Sequence, residues 1–205
     1  MEGQGKIDAL NRAIAEMLRV LADEAAHRAE LQVAIITFGG KAAVHHPLAA
    51  AQGIAWTPLR ASGNTPLGDA LTLAIGMLED PTTVPSRAYR PTLILVSDGQ
   101  PNDAWEEPLE HLLSAPRASK AFRFAMGIGD DADLTMLRRF LNDPEGRVFE
   151  AHDARQIHEF FRWVTMSVTA RSRSMTPDIQ PSLPSSAGKV SLQDLPETDL
   201  KKLEF

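Results

Sequence analysis

The sequence contains no cysteine. That absence excludes disulfides, thiolate metal sites and thiol catalysis, and it suits a reducing compartment, so a cytoplasmic location is expected. Positive charge is also scarce. Lys and Arg number 21 against 27 Asp and Glu, the net charge is −6, and no basic stretch rises above the rest. Nucleic-acid binders draw much of their affinity from Lys and Arg on phosphates, so no nucleic-acid partner is expected. No apolar run approaches the ~20 residues of a membrane span. The opening Met1-Glu2-Gly3-Gln4-Gly5-Lys6 lacks the apolar stretch of a signal peptide. The rest is ordinary: 205 residues, 43% hydrophobic and 23% charged, which fits one globular domain of usual size.

The chain is organised around Pro91 to Gln100. Leu93 to Val96 is a short, unbroken apolar run, which predicts a strand buried on both faces, as in a parallel sheet covered by helices. The strand ends on Ser97-Asp98-Gly99. Gly99 is expected to let the backbone turn sharply there. In open α/β sheets ligands bind beyond the carboxyl ends of the strands, which is where Asp98 falls. The plainer alternative is that Asp98 starts a turn or caps the next helix.

Ile7, Leu10, Ile14, Met17, Leu18 and Leu21 recur at spacings of three and four, predicting an amphipathic helix over about 6–29. Leu31 to Phe38 reads as a strand ending in a Gly39-Gly40 turn, with Ala42 to Leu48 as its hairpin partner. His45 and His46 lie on that partner. Adjacent strand residues point to opposite faces, so the two imidazoles do not share a metal. Ala61 to Gly68 is a loop rich in turn formers, followed by a helix from Leu67 to Glu79 with Pro66 at its start. Thr65 precedes that helix, where a hydroxyl could simply cap it. Beyond Pro91 the pattern alternates: strand, helix over 105–114, strand over 122–128, helix to Leu141 capped by Asp133, strand over 147–150, and helix over 154–168. Gly127-Ile128-Gly129 is a fragment of a dinucleotide fingerprint without its third glycine and reads as a tight turn. Such alternation predicts helices on both faces of a mostly parallel sheet. Residues 169–205, rich in Ser and Pro, read as a flexible tail whose end, Val190 to Phe205, could serve as a docking peptide.

Thr37-Phe38, then Ser62-Gly63-Asn64-Thr65-Pro66-Leu67-Gly68, then Leu95-Val96-Ser97-Asp98-Gly99 follow one another at the spacing of the von Willebrand factor type A (vWA) domain. The chain resembles that family over about 1–175, with 1–168 as the domain proper. Phe160-Phe161-Arg162-Trp163-Val164 and the Ser-rich stretch after it look like the bacterial TerY type, associated with tellurite-resistance gene clusters. The resemblance implies a Rossmann-like fold with a mostly parallel central sheet, one antiparallel edge strand and helices on both faces. It also implies a metal-ion-dependent adhesion site at the top of the sheet. Thr65 matches the family's second metal loop and Asp98 its third, with Gly63, Asn64 and Gly99 around them as the partner-binding loop. The implied metal is Mg²⁺, with Mn²⁺ or Ca²⁺ as alternatives, since such hard cations take oxygen ligands. The first central strand and its Asp-x-Ser-x-Ser loop are missing from the pattern, which leaves the implied site incomplete.

The function implied is a non-enzymatic module that holds an acidic group of a protein partner through the cation. By analogy the partner is a kinase or phosphatase of a tellurite-resistance or stress pathway. Two other classes stand beside it: a scaffold that needs no metal, and a metal-assisted hydrolase using Asp98. The hydrolase lacks a nucleophile or base near Asp98 in the pattern, since His152 and His158 fall in or near the last helix.

Overall fold

A computed structural model describes residues 2–25, 30–61 and 63–174. In chain order these form α1 (Glu2–Ala25), β1 (Gln32–Thr37), β2 (Ala43–Ala50), α2 (Leu67–Glu79), β3 (Thr92–Ser97), α3 (Glu106–Ser114), β4 (Phe122–Ile128), α4 (Leu134–Leu141), β5 (Phe149–Ala151) and α5 (Ala154–Arg173). The α/β alternation read from the sequence is the alternation of the fold.

Three layers follow from the period of two along β4. Phe124, Met126 and Ile128 join one core with Ile14, Met17, Leu18 and Leu21 of α1 and Ile157, Phe160, Phe161 and Val164 of α5. Ala125, between them, joins a second core with Leu71 and Ile75 of α2, Leu109 and Leu112 of α3, and Met136, Leu137 and Phe140 of α4. Alternate residues of a strand face opposite ways, so α1 and α5 cover one face and α2, α3 and α4 the other. In α1 the buried stripe also includes Ala9 and Ala13, which a search for large apolar residues passes over.

The sheet is in two pieces. β3, β4 and β5 are parallel, with Thr92 opposite Phe122 and Met126 opposite Phe149. β1 and β2 form a separate antiparallel ribbon with Gln32 opposite Ala50 and Thr37 opposite Ala43. The antiparallel edge strand is therefore present, but among the described residues it belongs to its own ribbon. Even so, Val33 and Ile35 of β1 pack on the same core as Ile94 and Val96 of β3. The effect shows in burial. β4, with a strand on each side, is buried at every position but Arg123, whereas β3 is buried only at Leu95 and Ser97. Helices cover both faces of β3, so its exposure lies along the edge that no described strand pairs.

α5 runs to Arg173, past the 168 boundary expected from apolar periodicity. Its last turn is fastened by polar contacts instead. Arg171, only 9% exposed, donates to Thr92 Oγ1 (2.7 Å) and to the Arg90 carbonyl (3.0 Å), and its guanidinium stands over the Phe122 ring at 4.0 Å. Arg173 pairs with Glu24 at the end of α1. Cations also suit the C-terminal turn of a helix. The lower ends of α1, α5, β3 and β4 are thus bound together. The expected docking peptide, Val190 to Phe205, and the rest of 175–205 lie outside the described residues.

Candidate functional site

At the upper end, the carboxyl ends of β1, β3 and β4 open into loops joined by hydrogen bonds. Gly40, after β1, donates its N–H to the Asn64 carbonyl (2.7 Å). Thr65 and Asn102 bond reciprocally: the Thr65 N–H donates to Asn102 Oδ1 (3.0 Å) and the Asn102 N–H to the Thr65 carbonyl (3.2 Å). The Gly99 carbonyl accepts from the Asp133 N–H (3.4 Å), and the Gly129 N–H donates to Ala151 of β5 (2.8 Å). Gly40, Gly63 and Gly129 take φ of 80°, 40° and 80°, the left-handed region in which glycine carries no steric penalty.

The two plain structural roles considered for Thr65 and Asp98 are filled by other residues. The N-cap of α2 is Pro66, and no side chain of that residue caps the helix. Asp103 does so from a different loop, its Oδ2 accepting the Asp69 N–H (3.2 Å). Thr65 is half-buried at the mouth of this junction. At the end of β3 the turn is closed by Ser97, whose Oγ donates to the Gly99 carbonyl (3.2 Å) and accepts the Gly99 N–H (3.4 Å). Asp98 is exposed and does not cap α3, whose N-cap position is Trp105. The structure brings the Thr65 loop to the loop that follows Asp98 and leaves both chemically useful groups outside the helix caps. Asn64 and Gly63 are exposed on the same rim, and Gly99 is half-buried.

Gly99 differs from the expectation. Its φ lies outside the left-handed region, and a Cβ added to it would meet nothing within 4 Å. The turn therefore does not require glycine there, because Ser97 shapes it; what Gly99 leaves is open space beside Asp98. Gly68 is the glycine that matters. A Cβ on it would lie 2.8 Å from the Ala104 carbonyl oxygen and 3.0 Å from Asp103 Oδ2, so the loop after β3 can lie flat against the start of α2.

Asn102 and Asp103 were not singled out by sequence reasoning. The only signal was their place in a Gln-Pro-Asn-Asp loop after the Asp98 strand, and side chains of this type bond readily to backbone. Asp103 Oδ1 is buried without a hydrogen-bond partner. The histidines are engaged by other groups. His152 pairs with Asp130 (3.2 Å) beyond β5, and His158 with Glu16 (3.3 Å) between α5 and α1. His45 Nε2 contacts the Thr57 carbonyl (2.8 Å) and His46 Nδ1 the Pro47 carbonyl (2.8 Å).

The Thr65 hydroxyl and Asp98 carboxylate are hard oxygen donors of the kind that suit Mg²⁺, Mn²⁺ or Ca²⁺. They match such an ion in kind and fall short in number. Among the described residues no group of three or more His, Cys, Asp or Glu could hold a metal.

Comparison with known proteins agrees with this geometry. The von Willebrand factor type A domain family matches residues 3–163. Human inter-alpha-trypsin inhibitor heavy chain H6 is 31% identical over 126 residues, which is 56% of this chain and 10% of that protein. Among solved structures, a von Willebrand factor type A protein from Catenulispora acidiphila superposes with a TM-score of 0.57 at 22% identity, over 82% of this chain and 40% of that one. Proximal thread matrix protein 1 from the mussel byssus, with a zinc-occupied MIDAS motif, gives a TM-score of 0.61 at 17% identity, over 80% of this chain and 43% of that one. The chain thus spans less than half the length of each of these relatives. With the family match covering most of the described fold, this chain belongs to the von Willebrand factor type A domain family.

Proposed function

We propose that this chain is a non-enzymatic binding module whose upper loops hold an acidic group of a protein partner through a divalent cation, with Thr65 and Asp98 among the cation's ligands. The observation that carries the reading is that both groups sit at the joined carboxyl ends of the sheet while neither caps a helix. Family membership supports it, since vWA domains commonly serve protein–protein interaction and metal-dependent binding. Mg²⁺ is the proposed ion. The cation would neutralise Asp98 and leave an open position for a carboxylate from the partner. Gly63, Asn64 and Gly99 form the rim on which the partner rests.

Two donors do not complete an octahedron; water and the partner's carboxylate would take further positions. The edges of β1 and β3 that no described strand pairs lie over one shared core and support a further strand between them that delivers an Asp-x-Ser-x-Ser loop to the same rim. The finer placement, a TerY-type cytoplasmic protein of tellurite-resistance or stress signalling with a kinase or phosphatase partner, rests on Phe160 to Val164 and is part of the same proposal. The hydrolase reading loses support because His152 and His158 pair with Asp130 and Glu16 rather than with Asp98 or Thr65.

Titration of Mn²⁺ into the chain, followed by paramagnetic broadening of amide signals, tests the site. Selective broadening at Thr65 and Asp98, abolished in Asp98→Ala, is the expected result. Uniform or absent broadening would exclude metal binding by these residues.

A further inference from the structure

Resting on that reading of the upper loops, we infer that Asn102 and Asp103 are positioning residues that lock the Thr65 loop to the loop carrying Asp98, so that hydroxyl and carboxylate are presented as one unit. Thr65 and Asn102 are 37 residues apart in sequence, yet each satisfies a backbone group of the other. Asp69 and Asp103 are 34 residues apart, and the carboxylate of one supplies the helix cap that Pro66 does not. Gly68 removes the side chain that would hold the two loops apart. Three contacts in succession thus join the same two segments, at a rim where Asn102 is exposed and adds little to either hydrophobic core.

The placement of Asp103 goes beyond capping. A capping carboxylate on a free helix end keeps its second oxygen in water. Here Oδ1 is buried and unpartnered while Oδ2 takes the Asp69 N–H. Leaving a carboxylate oxygen buried without a donor is unfavourable, and a loop optimised only for stability would not retain it. The cost is intelligible if the loop's position is set by what it must hold, namely Thr65 bonded to Asn102.

The test is amide hydrogen exchange on the chain, combined with Mn²⁺ broadening. In Asn102→Ala the Thr65 amide should exchange about tenfold faster or more, the loss of roughly one hydrogen bond, while core amides such as Leu71 and Phe124 keep their rates. Asn102→Asp retains Oδ1 and should restore the rate to within about twofold. Asp103→Ala should act likewise on Asp69, with Asp103→Asn restoring it. Where the parent responds to Mn²⁺, the ion concentration for half-broadening should rise with each alanine variant and recover with its conservative partner. Unchanged exchange at Thr65, equal acceleration of the core amides, or an unchanged Mn²⁺ response despite faster exchange would overturn the proposal. A parent that shows no Mn²⁺ response removes the metal reading alone, and the exchange data still decide whether the two loops are locked.

Discussion

At the lower end of β3, Arg171 is 9% exposed and reaches Thr92, the Arg90 carbonyl and the Phe122 ring. At the upper end of the same strand Asp98 is exposed, and the turn it sits on is closed by its neighbour Ser97. The lower end buries its charge and supplies it with two acceptors and an aromatic face, as burial of a cation demands. The upper end keeps its carboxylate accessible and assigns structural work to Ser97, Asn102 and Asp103. A group needed for binding cannot also be fully satisfied inside the protein, so a division of this kind marks the face where a ligand is expected.

Arg171 should therefore be the most sensitive of these positions. Arg171→Ala leaves the Arg90 carbonyl and the Thr92 hydroxyl without that donor and removes packing over Phe122. A loss of about 2–4 kcal/mol is expected in urea unfolding. Arg171→Lys should recover only part of this, because an ammonium cannot fork between two acceptors and cover a ring together. A loss below about 0.5 kcal/mol for the alanine variant would erase the contrast between the ends.

Gly68→Ala comes next. An alanine inside a helix is usually favoured over glycine by about 1 kcal/mol. Here the added Cβ would press to 2.8 Å from a backbone oxygen, so the overpacking penalty of about 1–3 kcal/mol should prevail. The variant should unfold at lower urea and loosen the Thr65 amide. Stabilisation would show that the upper loops yield freely.

The lower-end carboxylates should also carry acid sensitivity. Glu79 lies below its ordinary range chiefly because the Ala118 N–H bonds it, with Arg117 adding to the effect against some desolvation. Asp80 is held at about 2, down from 3.8, first by the Thr83 hydroxyl and then by Thr82. Both folded pKa values are depressed, so the stability they contribute is present above the unfolded values and disappears as pH falls through the folded ones. For Asp80 that window runs from 3.8 down to about 2. The urea midpoints of the parent and Asp80→Asn should differ at about pH 5 and converge near pH 2. A constant gap would mean that the Thr82 and Thr83 hydrogen bonds do not act through the charge.

The fold was far more legible in the sequence than the site's framework. Leu67–Glu79 and Phe122–Ile128 are bounded as expected, because Pro66 and a mostly apolar run ending in Gly-Ile-Gly mark them clearly. The last turn of α5 was missed because Thr169, Arg171 and Ser172 break the apolar period while polar contacts to β3 carry the helix onward. The division of the sheet was hidden because strand patterns do not say which edges pair. Thr65 and Asp98 could be picked out as types at the ends of elements. Asn102 and Asp103 could not, since their partners lie 37 and 34 residues away. Gly99 was assigned a turning role that Ser97 performs.

Asp98→Ala should have the smallest effect on stability and the sharpest effect on binding. The residue is exposed and caps no helix, so its removal should change unfolding by no more than about 0.5 kcal/mol in either direction. Removing a negative charge from a chain of net charge −6 weakly favours the fold through reduced self-repulsion, which tilts the expected sign toward slight stabilisation. Selective Mn²⁺ broadening at Thr65 should vanish in the same variant. Asp98→Asn, which keeps an oxygen but not the charge, should bind at least about tenfold more weakly than the parent, because a hard dication draws much of its affinity from carboxylate charge. A large stability loss in Asp98→Ala would mean that the upper carboxylate is structural after all, and the two ends of β3 would then differ only in depth of burial.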